Sequence, residues 1–276
     1  MIDKSVLFKR LSLAVYFIAA FLVFVVLLLP YDRIKAKIEQ ETRTRTGLDL
    51  SIARISPLFI NSVVLTDVVV SDPKGAVLFE SPSARAAVSL FSLLGGKLGT
   101  DVKAKAYGGT VLIRATLGTT QQQYQIDAEG LDIGAYTLLR NLGFKLTGKL
   151  GGNFEMTGEA GKGRFWLKSA TSRELKIKGF TVPDLDFDQG WLEADLKGDR
   201  LTIKKLELDG KELKVRCLGD VILRERGSIN VTIRLKPSER IAHEQAALLS
   251  LLKTKDAEGF YQFSVGGTLA EPFPRL

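Results

Sequence analysis

WLEADLKGDRLTIKKLELDGKE, residues 191–212, carries two tight-turn signatures in succession between alternating segments. Residues 191–197 and 201–208 read as extended segments joined across Gly198-Asp199, and Asp209-Gly210-Lys211 then turns the chain into Glu212. Gly-Asp suits a type II′ turn and Asp-Gly a type I′ turn, the two tight turns whose twist matches that of flanking strands. Two consecutive hairpins result, and with them three antiparallel neighbours.

Working outward, the same pattern covers most of the chain. Toward the C-terminus, residues 213–223 and 228–235 add strands. Ser238 is placed to cap a helix running to about Lys253, with Ile241, Leu248 and Leu252 facing inward. Residues 260–269 form a last strand, stopped by Glu271-Pro272-Phe273-Pro274. Toward the N-terminus, strands 145–157 and 163–172 flank a glycine-rich turn. Before them lies a small helix with Asp132 as N-cap, Ile133, Tyr136 and Leu139 on one face, and Gly143 as its stop. Strands 101–107 and 110–117 flank Gly108-Gly109, and residues 121–128 come next. Leu48, Leu50 and Ile52 alternate with Asp49, Ser51 and Ala53, and a second run spans 62–71. Asp72-Pro73-Lys74-Gly75 turns the chain into extended segments at 76–79 and 84–89, and 90–94 reads as a short helix closed by Gly95-Gly96. Glycine is abundant at 26 and proline scarce at 8, as expected where tight turns join many strands. The pattern predicts a mainly β chain, a meandering antiparallel sheet of a dozen or so strands with a few short α-helices. An open sheet that long must curl, leaving an apolar concave face.

Ahead of the sheet, Arg10 and Asp32 bracket a run without charge, marked by Leu11, Val15, Phe21, Val25, Leu29 and Tyr31. A helix over 11–31 spans roughly 30 Å, the thickness of a bilayer's hydrocarbon core. Tyr16 and Tyr31 fall toward its ends, where amphipathic rings sit at headgroup level. Signal-peptide cores are shorter and end in an Ala-x-Ala-like site, whereas this run ends in Leu27-Leu28-Leu29-Pro30-Tyr31, so an uncleaved transmembrane anchor is expected. Residues 1–10 then form a short tail and 32–47 a juxtamembrane helix, with Glu39–Arg43 and Glu41–Arg45 as i,i+4 pairs, Ile34 and Ile38 on one face, and Gly47 as the stop. Lys4, Lys9 and Arg10 precede the anchor and five basic residues come closely after it, so charge counting leaves orientation undecided. Residues 48–276 make up the β-rich domain, with a subdivision near 143 left open.

Composition narrows the chemistry. One cysteine (Cys217) rules out an intramolecular disulfide, and a single histidine (His243) rules out the usual transition-metal clusters. The net charge of +8 suits an anionic membrane surface or nucleic acid, but the basic residues are scattered with no run of five, so no nucleic-acid partner is expected. Gly143-x-x-x-x-Gly148-Lys149 matches most of a P-loop, yet Leu150 stands where Ser or Thr is required, and the helix precedes the loop instead of succeeding it. Asp184, Asp186 and Asp188 echo a Ca²⁺ loop, but glycine falls one position late at Gly190 and Asp195 replaces the bidentate Glu, so a strand's solvent face is expected. His243 has no Ser or Cys partner signalled, and Cys217 is most simply a small strand residue. No enzyme, cofactor or metal site is expected.

Several stretches taken together resemble a known family. They are Leu29-Pro30-Tyr31-Asp32-Arg33-Ile34, Thr46-Gly47-Leu48-Asp49-Leu50, Asn61-Ser62-Val63-Val64-Leu65-Thr66-Asp67-Val68 with Asp72-Pro73-Lys74-Gly75, and the closing Gly266-Gly267-Thr268-Leu269-Ala270-Glu271-Pro272. They look like an AsmA-like envelope protein, and the single anchor, length and ending most resemble the type II secretion system protein N (general secretion pathway protein N) family. That resemblance implies a single-pass protein of the bacterial inner membrane, its N-terminus cytoplasmic and its β-rich domain periplasmic. It implies an accessory, non-catalytic role in protein secretion, exerted through other secretion-system envelope proteins that pair with exposed sheet edges or end loops. As the alternative, the AsmA-like resemblance also suggests a lipid-handling module, with membrane lipid at the anchor and phospholipid acyl chains in an apolar groove.

Overall fold

The computed structural model describes residues 28–89, 97–118, 121–141, 145–173, 176–177, 180–181, 183–224, 227–250, 252, 255–268 and 272–275. Leu11, Val15, Phe21 and Val25 of the expected anchor lie outside them, as do the expected helix at 90–94 and the Gly143 stop. Among the described residues no helix is long and apolar enough to cross a membrane.

Helix α1 (Tyr31–Thr46) ends where Gly47 turns left-handed (φ 71°) and donates its N–H to the Arg43 carbonyl. The Glu41–Arg45 pair forms at 2.9 Å. The expected Glu39–Arg43 pair is replaced: Arg43 reaches Asp49 (3.2 Å), while the Glu39 carboxylate accepts the N–H of Ile52 (2.9 Å). Helix α1 therefore lies along the outer edge of β1 (Asp49–Phe59), and shields it.

From β1 the chain meanders through β2 (Ser62–Ser71), β3 (Val77–Ser89), β4 (Leu98–Ala106), β5 (Gly109–Leu117), β6 (Gln122–Asp132), β7 (Lys145–Thr157) and β8 (Ala160–Arg173). A two-stranded ribbon, β9 (Lys176–Ile177) and β10 (Phe180–Thr181), interrupts the series. It resumes with β11 (Leu185–Lys197), β12 (Arg200–Asp209), β13 (Leu213–Ile222), β14 (Ile229–Pro237), β15 (Tyr261–Gly267) and β16 (Pro272–Arg275). Fourteen of these strands form one antiparallel sheet in chain order, and its ladder continues from β6 into β7 across position 143.

Several boundaries differ from the sequence pattern. The segments at 76–79 and 84–89 belong to one strand, β3, which carries Pro82 opposite Asp67 (φ 49°). Pro82 has no N–H for the ladder, and the Ser81 hydroxyl donates nearby to the Lys105 carbonyl (2.7 Å). The β4–β5 turn is Tyr107-Gly108 (φ 50° and 73°), a type I′ pair, rather than Gly108-Gly109. Gly109 is a strand residue pressed on β6, where a Cβ would fall 2.3 Å from the Glu129 carbonyl oxygen. At Gly198 φ is 58°, while Asp199 keeps a negative φ, as a type II′ turn requires. Gly210 has no positive φ, so the expected type I′ turn gives way to a three-residue link; a Cβ there would meet the Asp186 carbonyl oxygen at 2.1 Å. The helix expected after Asp132 is a 3₁₀ turn (Ile133–Ala135) and then α2 (Thr137–Asn141). The one after Ser238 breaks at Gln245 into α3 (Glu239–Glu244) and α4 (Ala246–Leu249). Pro272 and Pro274 do not stop the sheet but lie within its edge strand β16, where a missing N–H costs nothing on the outer side.

Candidate functional site

Register turns the alternation of single strands into a property of the whole sheet. One row of paired residues crosses all fourteen strands: Pro57, Val63, Ala86, Val102, Ile113, Ile126, Phe154, Gly163, Ala194, Ile203, Gly219, Val231, Val265 and Pro274. None carries a polar side chain. At about 4.8 Å per strand the row runs roughly 62 Å. A parallel row from Ile55 to Phe263, through Leu65, Val111, Phe165, Leu192, Leu206 and Ile233, is equally apolar. On the opposite face the corresponding row includes Arg85, Lys103, Asp127, Asn153, Arg164, Glu193 and Lys205.

Burial along the apolar face is uneven. A closed cluster sits at its first strands, where Ile52, Ile55, Val68, Ala84 and Ala104 pack with Tyr31, Leu50, Leu65 and Phe79. The expected anchor residue Tyr31 therefore opens α1 and joins this cluster, while Leu29 is exposed. At the far end of β3 and β4 the 3₁₀ turn and α2 strap across: Tyr136 stacks edge-on against Tyr107 (5.4 Å) and donates to the Leu78 carbonyl (3.0 Å). Burial there also pushes the Tyr107 phenol's pKa up. From β5 onward Ala170, Ala194 and Val231 are buried, but Ile113, Ile126, Phe154, Phe165, Leu192, Ile203, Leu206 and Ile233 are only half-buried. Among the described residues the only other sheet is the two-stranded ribbon of β9 and β10.

Polar chemistry does not converge anywhere comparable. A cavity of about 210 Å³ on the charged face is ringed by Arg164, Glu193, Asp195 and Lys204, which pair with one another. A shelf of about 510 Å³ lies at the cross-strand pair Trp166–Trp191, beside Lys168, Gln189, Glu207 and Asp209. Asp184, Asp186 and Asp188 are exposed, and the first two face Arg173. Lys149 comes just after Gly148, where β7 faces a bulge in β8, and pairs with Asp132 (3.3 Å), a strand setting no phosphate loop uses. His243 is exposed at the end of α3. Cys217 belongs to the second apolar row, where burial raises its pKa, so the thiol stays protonated and apolar. No group of three or more His, Cys, Asp or Glu able to hold a metal occurs among the described residues. Compared with family models, curated proteins and solved structures, the chain matches none.

Proposed function

We propose that this chain is an AsmA-like, lipid-handling protein of the bacterial envelope, anchored in the inner membrane by residues 11–31, with its open apolar face in the periplasm receiving phospholipid acyl chains. The row from Pro57 to Pro274 carries this reading: a row of residues without polar side chains that spans fourteen strands and is only partly buried over most of its length. Contiguous apolar surface of that extent is rare on soluble proteins unless something covers it. The row is about twice the 30 Å thickness of a bilayer's hydrocarbon core, long enough for several acyl chains side by side. A net charge of +8 suits anionic headgroups at its rim.

The alternative, an accessory of the type II secretion apparatus, draws on the residue pattern at 29–34, 46–50, 61–68 and 266–272. Its expected contact, pairing of a partner strand with a sheet edge, has less to work with. One edge is flanked by α1, and the other is a four-residue strand with two prolines.

Native mass spectrometry of the full chain, extracted from membranes and stripped of detergent, tests the proposal. Phospholipid retained in stoichiometric amount is expected, and should fall when Ile126→Asp and Ile203→Asp are combined. A clean unliganded mass would overturn the lipid reading and leave the secretion reading standing.

A further inference from the structure

The tip of the first hairpin is apolar and exposed: Leu58, Phe59 and Ile60 are 43, 67 and 53% accessible. A hairpin tip is ordinarily polar, because it gains nothing from burial. This one is held rather than loose, since the Asn61 carbonyl accepts the N–H of Val88 (2.8 Å) and the Asn61 amide Nδ2 donates to the Val88 carbonyl (3.0 Å).

Its position says what it meets. Gly47 reverses the chain after α1, so β1 runs back alongside the helix; the Glu39–Ile52 bond and the packing of Tyr31 on the Ile52 cluster fix that antiparallel arrangement. At 1.5 Å per residue α1 is about 24 Å long, and at about 3.3 Å per residue β1 is about 36 Å. The tip therefore overshoots the first turn of α1 by roughly 10 Å, at the end where residues 28–30 lead into the helix. Leu28 and Leu29, exposed at 64 and 41%, lie on that side, and so does Leu98 at the start of β4. Exposed Arg33 and Lys97 flank the patch.

We infer that the Leu58–Phe59–Ile60 tip is a second membrane contact, a wedge seated in the headgroup and upper acyl region of the bilayer that holds the anchor. Interfacial elements bury their apolar side by about 5–10 Å, which the overshoot matches, and basic flanks suit anionic lipid. Two contacts fix the tilt of the domain and bring the first strands' end of the apolar face to the lipid surface. The inference rests on residues 11–31 being an anchor.

The test uses the full chain in vesicles of phosphatidylcholine and phosphatidylglycerol, with Cys217→Ser as background. An environment-sensitive fluorophore is attached at Phe59→Cys, at Ile60→Cys, and, as control, at Lys74→Cys in the turn at the opposite strand ends. The wedge requires that emission from both tip positions be lost when the lipid tails are brominated and be protected from aqueous iodide, with the control showing the reverse. Tip labels quenched by iodide would place the tip in water, and labels shielded from both quenchers would place it against protein or a second copy; either result overturns the inference. Flotation of the same vesicles after an alkaline wash reads the anchor separately. A chain that washes off overturns anchor and wedge together, whereas one that stays with a water-exposed tip overturns the wedge alone.

Discussion

The guanidinium of Arg234 lies over the ring of Phe260, with Cζ 4.8 Å from the ring centre. Arg216 stacks at 4.9 Å and Lys236 approaches to 5.7 Å, so three cations from the charged face of β13 and β14 enclose one phenyl ring. Phe260 is 3% exposed, a core-like burial on the face that otherwise carries charge. The ring pins the 255–260 segment to the sheet, and Arg234 doubles the attachment through Asp256 and Glu258. Removing a buried phenyl costs about 3 kcal/mol. Phe260→Ala should lower the urea midpoint accordingly, and an unchanged midpoint would mean the segment adds nothing to the sheet.

Acid should loosen that attachment. Asp256 has its pKa lowered, first by the hydrogen bond from Arg234 and then by the backbone N–H of Phe260. A carboxylate with a depressed folded-state pKa contributes stability above its unfolded value, near 3.9, and loses it as pH falls through the folded value. Amide exchange at Glu258 and Phe260, both of which donate to Asp256, should therefore accelerate below about pH 4, ahead of exchange in β13. Exchange that rises uniformly over both regions would argue against a local linkage. The pair is exposed to solvent and is screened accordingly.

Two buried hydroxyls, of Ser62 and Ser172, have no hydrogen-bond partner. Ser172 joins the apolar side of β8, opposite Leu185. An unsatisfied buried polar group costs about 1–3 kcal/mol relative to a satisfied one, so removing it should help. Ser172→Ala is expected to raise stability by about 1 kcal/mol, read as an upward shift of the thermal midpoint. A drop would reveal a bridging water that the hydroxyl holds.

Period-two alternation and glycine turns made the meander legible, because each strand's two faces are written in its own residues. Where the faces switch was not legible. Asp67 and Ser169 take left-handed φ of 49° and 51°, which their residue types do not announce, and at Ser169 a bulge in β8 shifts the register against β7. Ile52 and Ile55, three apart, both join the buried cluster, opposite Val68 and Leu65, which flank Asp67. Nor could the continuous apolar row be read in advance, since it depends on thirteen registers, several shifted by bulges. Phe260 looked like an ordinary strand start, because the cations that bury it come from strands 24 to 44 positions earlier in the chain.

The contrast between Ile52 and Ile126 tests whether the apolar face is a core or a surface. Ile52 is 1% exposed within the cluster shielded by α1, whereas Ile126, in the row crossing the sheet, is half-buried. Ile52→Ala removes buried atoms and leaves a cavity, which costs about 3 kcal/mol. Ile126→Ala removes atoms that already meet solvent or a weakly held occupant, for about 1 kcal/mol. Urea unfolding of the two variants in detergent-stripped protein should show that ratio, and adding phospholipid should stabilise the parent more than Ile126→Ala, since an occupant stabilises only the state that binds it. Equal losses at the two positions would mean that a second layer closes over the face, and the groove would be lost with it.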